Sequence, residues 1–430
     1  MKNRRVAITG LGAVSPLGND VLSTWTNLLK GQSGIAEITH FDAKAFPTYI
    51  AAEVKQFTPH ASMIGKNSRF AMSFTQFALE AARQAFEDAG IAPCKETESR
   101  WGVVAGSGMM TAEFDYLNRF RQLCAPEGEP DWSLLQAQSQ SFYKLLDFGK
   151  TTSNSGLSLL IQQFGIKGYA TSVHTACASG GQALGLAMQV IRRGEVDYML
   201  AGGFDSMINP LGLSSFCLLG ALSTYNKTPH TASRPFDGLR NGFVLGEGAA
   251  FLVLEAWDKA KARGATIYAE LAGEGNSLSS YRITDSHPNG DGAIQAIKAA
   301  LKDAGVSEQD VDYINAHGTS TKMNDLSETN AIKAVFGRRQ QLPVSSTKGQ
   351  TGHLIAAAGA LEAVLAVKSI ESAMIPKTAN LTTPDSECDL DYVVDGPREK
   401  SLGVVLSNSF GFGGSNSCLL FKHPEFEGAE

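Results

Sequence analysis

The sequence predicts a duplicated α/β fold in which two halves repeat one order of strands and helices. Three observations lead there. The segment Ala82-Arg-Gln-Ala-Phe-Glu-Asp-Ala-Gly90 is echoed by Ile297-Lys-Ala-Ala-Leu-Lys-Asp-Ala-Gly305 half a chain later. Each copy reads as an amphipathic helix closed by a C-cap glycine and followed by an apolar strand, Val103-Val-Ala-Gly-Ser-Gly108 or Val311-Asp-Tyr-Ile-Asn-Ala-His-Gly318. Each half then opens a helix from a small-residue turn, Val173-His-Thr-Ala-Cys-Ala-Ser-Gly-Gly181 or Lys348-Gly-Gln-Thr-Gly-His353.

In chain order, Val6-Ala-Ile-Thr-Gly10 is the first strand; Gly10, Gly12, Ser15 and Pro16 cut its apolar run too short for a signal peptide. The first half is the longer copy, and most of its excess lies between Thr111 and Asp147, which reads as an inserted cap or interface segment. The helix Gln182 to Arg193 and the helix Leu354 to Ile370 occupy equivalent places; the second carries Glu362 and Lys368 and is too short to span a bilayer. Paired strands end each half, Val196 to Gly203 with Ala249 to Leu254 and Gly403 to Asn408 with Ser417 to Phe421. The predicted division is 1–262 and 263–430.

Composition supports a large core. The 430 residues are 43% apolar and 19% charged, which excludes disorder as the main state. A net charge of -6 argues against a nucleic-acid or anionic-membrane binder unless basic residues cluster. The six cysteines are scattered without a C-x-x-C pair, which fits a reduced, cytoplasmic protein better than a disulfide scaffold. Glycine, at 44 residues, exceeds the usual share of roughly 7% and asks where backbones approach closely.

Cys177 lies where a strand gives way to a helix, so free N–H groups and the helix dipole are expected to lower its thiol pKa. Its neighbours Ala176, Ala178, Ser179, Gly180 and Gly181 leave room for a substrate. Cys94, Cys217, Cys388 and Cys418 read as buried structural cysteines, and His174 as a structural residue turned inward or sideways. His317 and His353 stand beside glycines at strand or helix ends, the edge where open α/β sheets bind ligands. A cysteine with two histidines suits a nucleophile with acid/base or hydrogen-bonding partners. A Cys-His-His zinc site is the competing reading, disfavoured because the ligands come without a local pair, so no metal is expected. Glu362, inside an apolar helix, needs a buried partner, and Lys348 is the candidate. The run Asn408-Ser-Phe-Gly-Phe-Gly-Gly-Ser-Asn416 reads as a mobile flap, and no phosphate-cradling motif is present.

Taken together, Thr175-Ala-Cys-Ala-Ser-Gly180, Ser233-Arg-Pro-Phe-Asp237, Gly242-Phe-Val-Leu-Gly-Glu-Gly248, Ala316-His-Gly-Thr-Ser-Thr321, Lys348-Gly-Gln-Thr-Gly-His353 and Asn408-Ser-Phe-Gly-Phe-Gly-Gly414 resemble the β-ketoacyl-acyl carrier protein synthases, from Arg5 to Lys422. The elongating Cys-His-His branch is the nearer one. The resemblance implies a thiolase-like α-β-α-β-α fold with two mixed five-stranded sheets and decarboxylative Claisen condensation in a dissociated (type II) fatty-acid or polyketide system.

By the same resemblance, Cys177 would carry the acyl chain as a thioester, while His317 and His353 promote decarboxylation of the malonyl unit and stabilise the enolate. The backbone N–H groups of Cys177 and Phe412 would form the oxyanion hole, and Lys348 with Glu362 would hold the histidines' electrostatics. Thr319 and Thr321 would bind pantetheine; Phe410, Phe412 and Met109 would line or gate the acyl pocket; Asp325 and Glu328 would support the site. Lys66 and Arg69, opening the helix before the first repeat, would dock an acidic carrier protein. No intrinsic cofactor is implied, since substrates arrive on the carrier's phosphopantetheine. The chain would form a homodimer, or a heterodimer with a chain-length-factor subunit. Met109-Met-Thr111 and Asp147 depart from the glycine-rich and apolar pocket segments of fatty-acid enzymes and put a long saturated substrate in question. A scaffold without catalysis is disfavoured by the complete Cys177, His317 and His353 set, and a degradative thiolase by the lack of a second cysteine in the C-terminal glycine loop.

Overall fold

The computed structural model describes residues 4–427 apart from 66, 109–113, 126–127, 130, 143–145, 147–148, 151, 153 and 338–340. Lys66, Met109 and Asp147 therefore lie outside the described residues. Eleven strands form one sheet: β1 (Val6–Val14), β2 (Trp101–Ser107), β3 (Ala170–Val173), β4 (Tyr198–Ser206), β5 (Glu247–Ala256), β6 (Ala269–Leu278), β7 (Tyr313–Asn315), β8 (Pro343–Ser345), β9 (Asp391–Tyr392), β10 (Val404–Phe410) and β11 (Ser415–Lys422). Their order is β9-β8-β7-β10-β11-β6-β1-β5-β4-β2-β3.

Read outward from the centre, each half gives the same series. In the first half β1 pairs antiparallel with β5 and β5 with β4, and β2 and β3 then continue in parallel. In the second, β6 pairs antiparallel with β11 and β11 with β10, followed by parallel β7 and β8. The two five-stranded sheets expected from the sequence are thus present. They are joined through Ala7 with Glu270 and Ile8 with Ala269, and β9 adds a short outer strand.

The helices that matter are α1 (Ser73–Ala89), α2 (Phe114–Cys124), α3 (Trp132–Phe142), α4 (Ser179–Arg192), α5 (Asp291–Ala304), α6 (Lys322–Phe336) and α7 (Ala358–Ser372). The helices α2 and α3 lie in the segment read as an insertion and pack on each other. The echo in sequence proves to be an echo in packing. Both α1 and α5 end at left-handed glycines, Gly90 (φ 62°) and Gly305 (φ 63°), and lie outside the sheet. In α1, Asp88 accepts the Leu11 N–H of β1 at 2.9 Å; in α5, Asp303 accepts the Glu274 N–H of β6 at 3.0 Å. Glycines permit both close approaches, because a Cβ at Gly12 would strike the Ala81 carbonyl of α1 and one at Gly275 the Ala296 carbonyl of α5.

Between the two sheets run α4 and α7, with packing contacts to strands of both halves. Apolar residues surround α7 on every side, as expected of a helix with no solvent face. The two helices cross through small residues: a Cβ on Gly180 would stand 2.8 Å from the Ala360 nitrogen and 2.9 Å from the Ala356 oxygen. That crossing brings the head of α4 to the head of α7. Gly180→Ala is expected to lower stability by about 1–3 kcal/mol, since backbone on both sides must yield. Urea denaturation monitored by circular dichroism checks it.

Candidate active site

The parallel strand β3 ends in a sharply bent turn. Ala176 takes a positive φ of 48°, and Ser179 clamps the bend by accepting the Thr175 N–H at 2.8 Å and donating to the Ala176 carbonyl at 2.7 Å. Cys177 follows in the single 3-10 turn Ala176–Ala178 that leads into α4. Its sulfur is buried, and the nearby backbone N–H groups of Cys177 and Phe412 favour its ionised form. Gly411 permits this approach, because a Cβ there would lie 2.8 Å from the Thr175 oxygen.

His317 comes from the end of β7, which is shorter than the sequence pattern implies. The carboxylate of Glu328 on α6 accepts the His317 and Gly318 N–H groups at 2.8 and 2.7 Å, diverting them from the strand ladder. Asn408 of β10 braces that carboxylate with a hydrogen bond of 3.0 Å. His353 precedes α7 and is fastened to the Gly242–Gly248 motif, its N–H donating to the Val244 carbonyl at 2.8 Å and its ring meeting Phe243 edge to face. The helix predicted from Leu354 instead begins with the 3-10 turn Ile355–Ala357, and α7 proper starts at Ala358.

Lys348 lies beneath the site, 1% exposed, in an ion pair with the equally enclosed Glu362. Its Nζ also donates to the His317 carbonyl at 2.7 Å and stands 3.3 Å from His317 Nδ1. Burial pushes Glu362 up to about 7 against the pull of Lys348. The two histidines are held well below their ordinary value, by burial first and by the Lys348 charge second. Each Nδ1 already has a donor, Lys348 Nζ for His317 and the Ile355 N–H, at 3.3 Å, for His353. Both rings are therefore neutral, with the proton on Nε2.

The Cys177 sulfur and one nitrogen of each histidine lie within 4.8 Å of one another, a spacing that a metal could use. The protonation pattern speaks against that use. An Nε2 that carries hydrogen has no lone pair to offer, and the Lys348 charge opposes a cation. The arrangement offers N–H donors, which suit an oxyanion.

Cys177, His317, Thr319, Thr321, His353, Phe410 and Phe412 share one cleft of about 530 Å³. The hydroxyls of Thr319 and Thr321 are 3.0 Å apart on its wall. Asp325 and Glu328 stand behind His317 rather than in the cleft; Asp325 accepts the Phe236 and Ser320 N–H groups at 2.7 and 3.2 Å. Phe412 lies in a 3-10 turn between β10 and β11, where the Gly413 N–H is tied to the Ile283 carbonyl at 2.7 Å, so the flap is pinned at this point. Arg69 lies outside the cleft, exposed in the short 3-10 turn Ser68–Phe70 that precedes α1, over the Phe70 ring.

Three expectations from sequence are corrected. The Cys177 thiol is pushed up to about 12, because burial outweighs Lys348 and the two amides, with the Asp205 carboxylate adding to the rise. His174 is exposed, its Nδ1 3.0 Å from the Ser107 carbonyl oxygen. Cys94 is exposed and Cys217 half-buried. Alkylation of Cys177 by iodoacetamide is accordingly expected to rise about tenfold per pH unit from 7 to 10 without a plateau, since only the thiolate reacts. Peptide mass spectrometry checks the slope.

One contributor escaped the sequence reading. Asp205 is a buried carboxylate in the run Gly202-Gly-Phe-Asp205, pushed up to about 7 by burial, and an acid inside an apolar strand was the signal available.

The fold and the site together define a class: thiolase-like proteins with a buried cysteine from one half of the duplication and two histidines from the other. The chain belongs to the β-ketoacyl synthase family; the family's N-terminal domain matches residues 3–260 and its C-terminal domain residues 268–382. It is 44% identical to the 3-oxoacyl-[acyl-carrier-protein] synthase 2 of Coxiella burnetii, over 98% of this chain and 99% of that one. The enzyme of the same name from Staphylococcus aureus is 41% identical over 99% of both chains. Among solved structures, a type II polyketide synthase ketosynthase in complex with its acyl-carrier protein superposes with a TM-score of 0.88 at 34% identity, covering 98% of this chain and all of that one. The ishigamide ketosynthase/chain length factor gives 0.87 at 33%, covering 98% and 99%. Among the described residues, no helix is long and apolar enough to cross a membrane.

Proposed function

We propose that this chain is a β-ketoacyl-acyl-carrier-protein synthase, an acyltransferase that joins a malonyl unit to an acyl thioester held on Cys177, with loss of carbon dioxide. The observation that carries the reading is the cluster of Cys177 with two neutral histidines at the floor of one cleft, over the buried Lys348–Glu362 pair.

In the first stage the Cys177 sulfur attacks the acyl thioester of the carrier, and the thiol proton ends on the departing pantetheine sulfur. The tetrahedral oxygen accepts from the Cys177 and Phe412 N–H groups. Malonyl-carrier then enters along Thr319 and Thr321, beside Phe410, and its C–C bond to the carboxylate breaks. The Nε2–H groups of His317 and His353 meet the negative charge developing on the thioester oxygen. The enolate carbon attacks the acyl-Cys177 carbonyl and closes the new C–C bond; collapse of the tetrahedral intermediate expels the cysteine sulfur, which takes a proton from water and returns to the thiol. Lys348 holds His317 in the donating tautomer, and Glu328 fixes its backbone through the two amide bonds. His353→Ala is expected to lower carbon dioxide release from malonyl-carrier by about 10²–10³-fold, the loss typical of one oxyanion donor. Headspace detection of labelled carbon dioxide measures it.

The partner in this reading is acyl carrier protein, in acyl and malonyl forms, with Lys66 and Arg69 as docking residues. Substrates come on phosphopantetheine, without an intrinsic cofactor, in a cytoplasmic type II system. The division of the chain at 262/263 belongs to the same proposal. The edge strand β3 ends the sheet, and among the described residues no strand pairs with its outer side, which supports dimerisation there. A homodimer is the simpler assembly; a heterodimer with a chain-length factor is the alternative, and equal recovery of a homologous subunit from the native host would favour it. The reaction is tested by incubating the protein with malonyl-carrier and acyl-carriers of graded length. Mass spectrometry should find acyl-Cys177 and a β-ketoacyl product two carbons longer, and the lengths accepted define the pocket.

A further inference from the structure

One buried acid has no task in this reaction. Asp205, at the end of β4, is 3% exposed, and its Oδ2 accepts the Ala356 N–H at 3.0 Å. Its setting is tight: a Cβ on Gly108 would come within 2.3 Å of the same oxygen. The amide it takes belongs to the turn that delivers His353. There Ile355 holds a φ of 49°, a region that β-branched residues avoid. The bend turns out two successive N–H groups. Ile355 gives its own to His353 Nδ1, and Ala356 gives the next one to Asp205.

The nucleophile turn is built the same way. Ala176 at φ 48° corresponds to Ile355, and the 3-10 turns Ala176–Ala178 and Ile355–Ala357 lead into the two central helices. Cys177 is therefore the counterpart of Ala356, and the exposed His174 the counterpart of His353. In the first half the second amide of the bend acts on the Cys177 sulfur. In the second half the equivalent amide is taken by a carboxylate reaching across from the first. The duplication has made one bend serve two purposes, and Asp205 is what differs.

We propose that Asp205 is a positioning residue for His353. By holding the Ala356 N–H it keeps the strained turn in place, aims the Ile355 N–H at Nδ1, and so fixes the tautomer that presents Nε2–H to substrate. The inference rests on the condensing reading for its consequence, not for its structural content.

The test begins with the full-length protein labelled with 15N-histidine, the His353 signals assigned by their loss in His353→Ala. An unprotonated Nδ1 and a protonated Nε2 are expected; a protonated Nδ1 in the unmutated protein would overturn the proposal. Asp205→Ala is then made in the Cys177→Gln background. A mixture of His353 tautomers is expected, with carbon dioxide release from malonyl-carrier falling at least tenfold in kcat and little in KM. Asp205→Asn, which keeps an acceptor oxygen, should restore the single tautomer and most of the rate. A folded Asp205→Ala protein with the parental tautomer and rate would sink the idea; if that variant does not fold, the unmutated spectrum still decides. A parent protein that releases no carbon dioxide counts against the condensing reading instead and leaves the tautomer result standing.

Discussion

Cys177→Ala is expected to abolish condensation, by about 10⁴-fold or more, because no other group can hold the acyl chain at this point in the cleft. The substitution removes only the sulfur. The bend at Ala176, the Ser179 clamp and the start of α4 do not depend on it, so folding should survive. Cys177→Gln separates the two chemical steps. Its side-chain amide places a carbonyl where the acyl thioester carbonyl would sit, within reach of the Cys177 and Phe412 N–H groups, while His317 and His353 remain free to act on malonyl-carrier. Decarboxylation should therefore persist without a condensed product. Labelled carbon dioxide and product mass read the two steps independently, and β-ketoacyl product from Cys177→Ala would remove Cys177 from the nucleophile's role.

Lys348→Met should produce the largest loss of stability, about 3–5 kcal/mol, because it strands the Glu362 carboxylate in a dry interior. The size of the loss should depend on pH. Glu362 titrates near 7 when folded against 4.5 as a free side chain, so its contribution to stability is complete below 4.5 and is lost as pH rises through 7. Without Lys348 the folded value climbs further, and the variant goes on losing stability above 7 where the native protein has stopped. The gap between the two should widen from pH 7 to 9, as measured by urea unfolding. The pair Lys348→Met with Glu362→Leu should regain most of the stability, since two apolar groups can replace a buried ion pair. It should not regain activity, because His317 Nδ1 loses the donor that sets its tautomer.

Much of the chemistry could be read along the chain. Cys177, His317 and His353 stand in small-residue turns, Glu362 sits inside an apolar helix that demands a partner, and the Asp-Ala-Gly ends of α1 and α5 announce the duplication. These signals are local: each rests on a few neighbouring residues whose steric or solvation needs are fixed by their type. The finer correspondence between the halves was not local. The paired positive φ angles of Ala176 and Ile355 show that Ala356 is the counterpart of Cys177 and His353 that of His174.

The sequence by itself determined which groups the site contains and that the chain folds as two copies of one pattern. The tertiary structure alone decided what those groups are electrically. A helix terminus lowers a thiol's pKa, but the enclosure of Cys177 beneath its cleft raises it more. Nothing near His353 in sequence shows that a carboxylate from β4 governs its turn. Desolvation and cross-half hydrogen bonds depend on which surfaces meet when α4 crosses α7, and that is a property of packing in three dimensions.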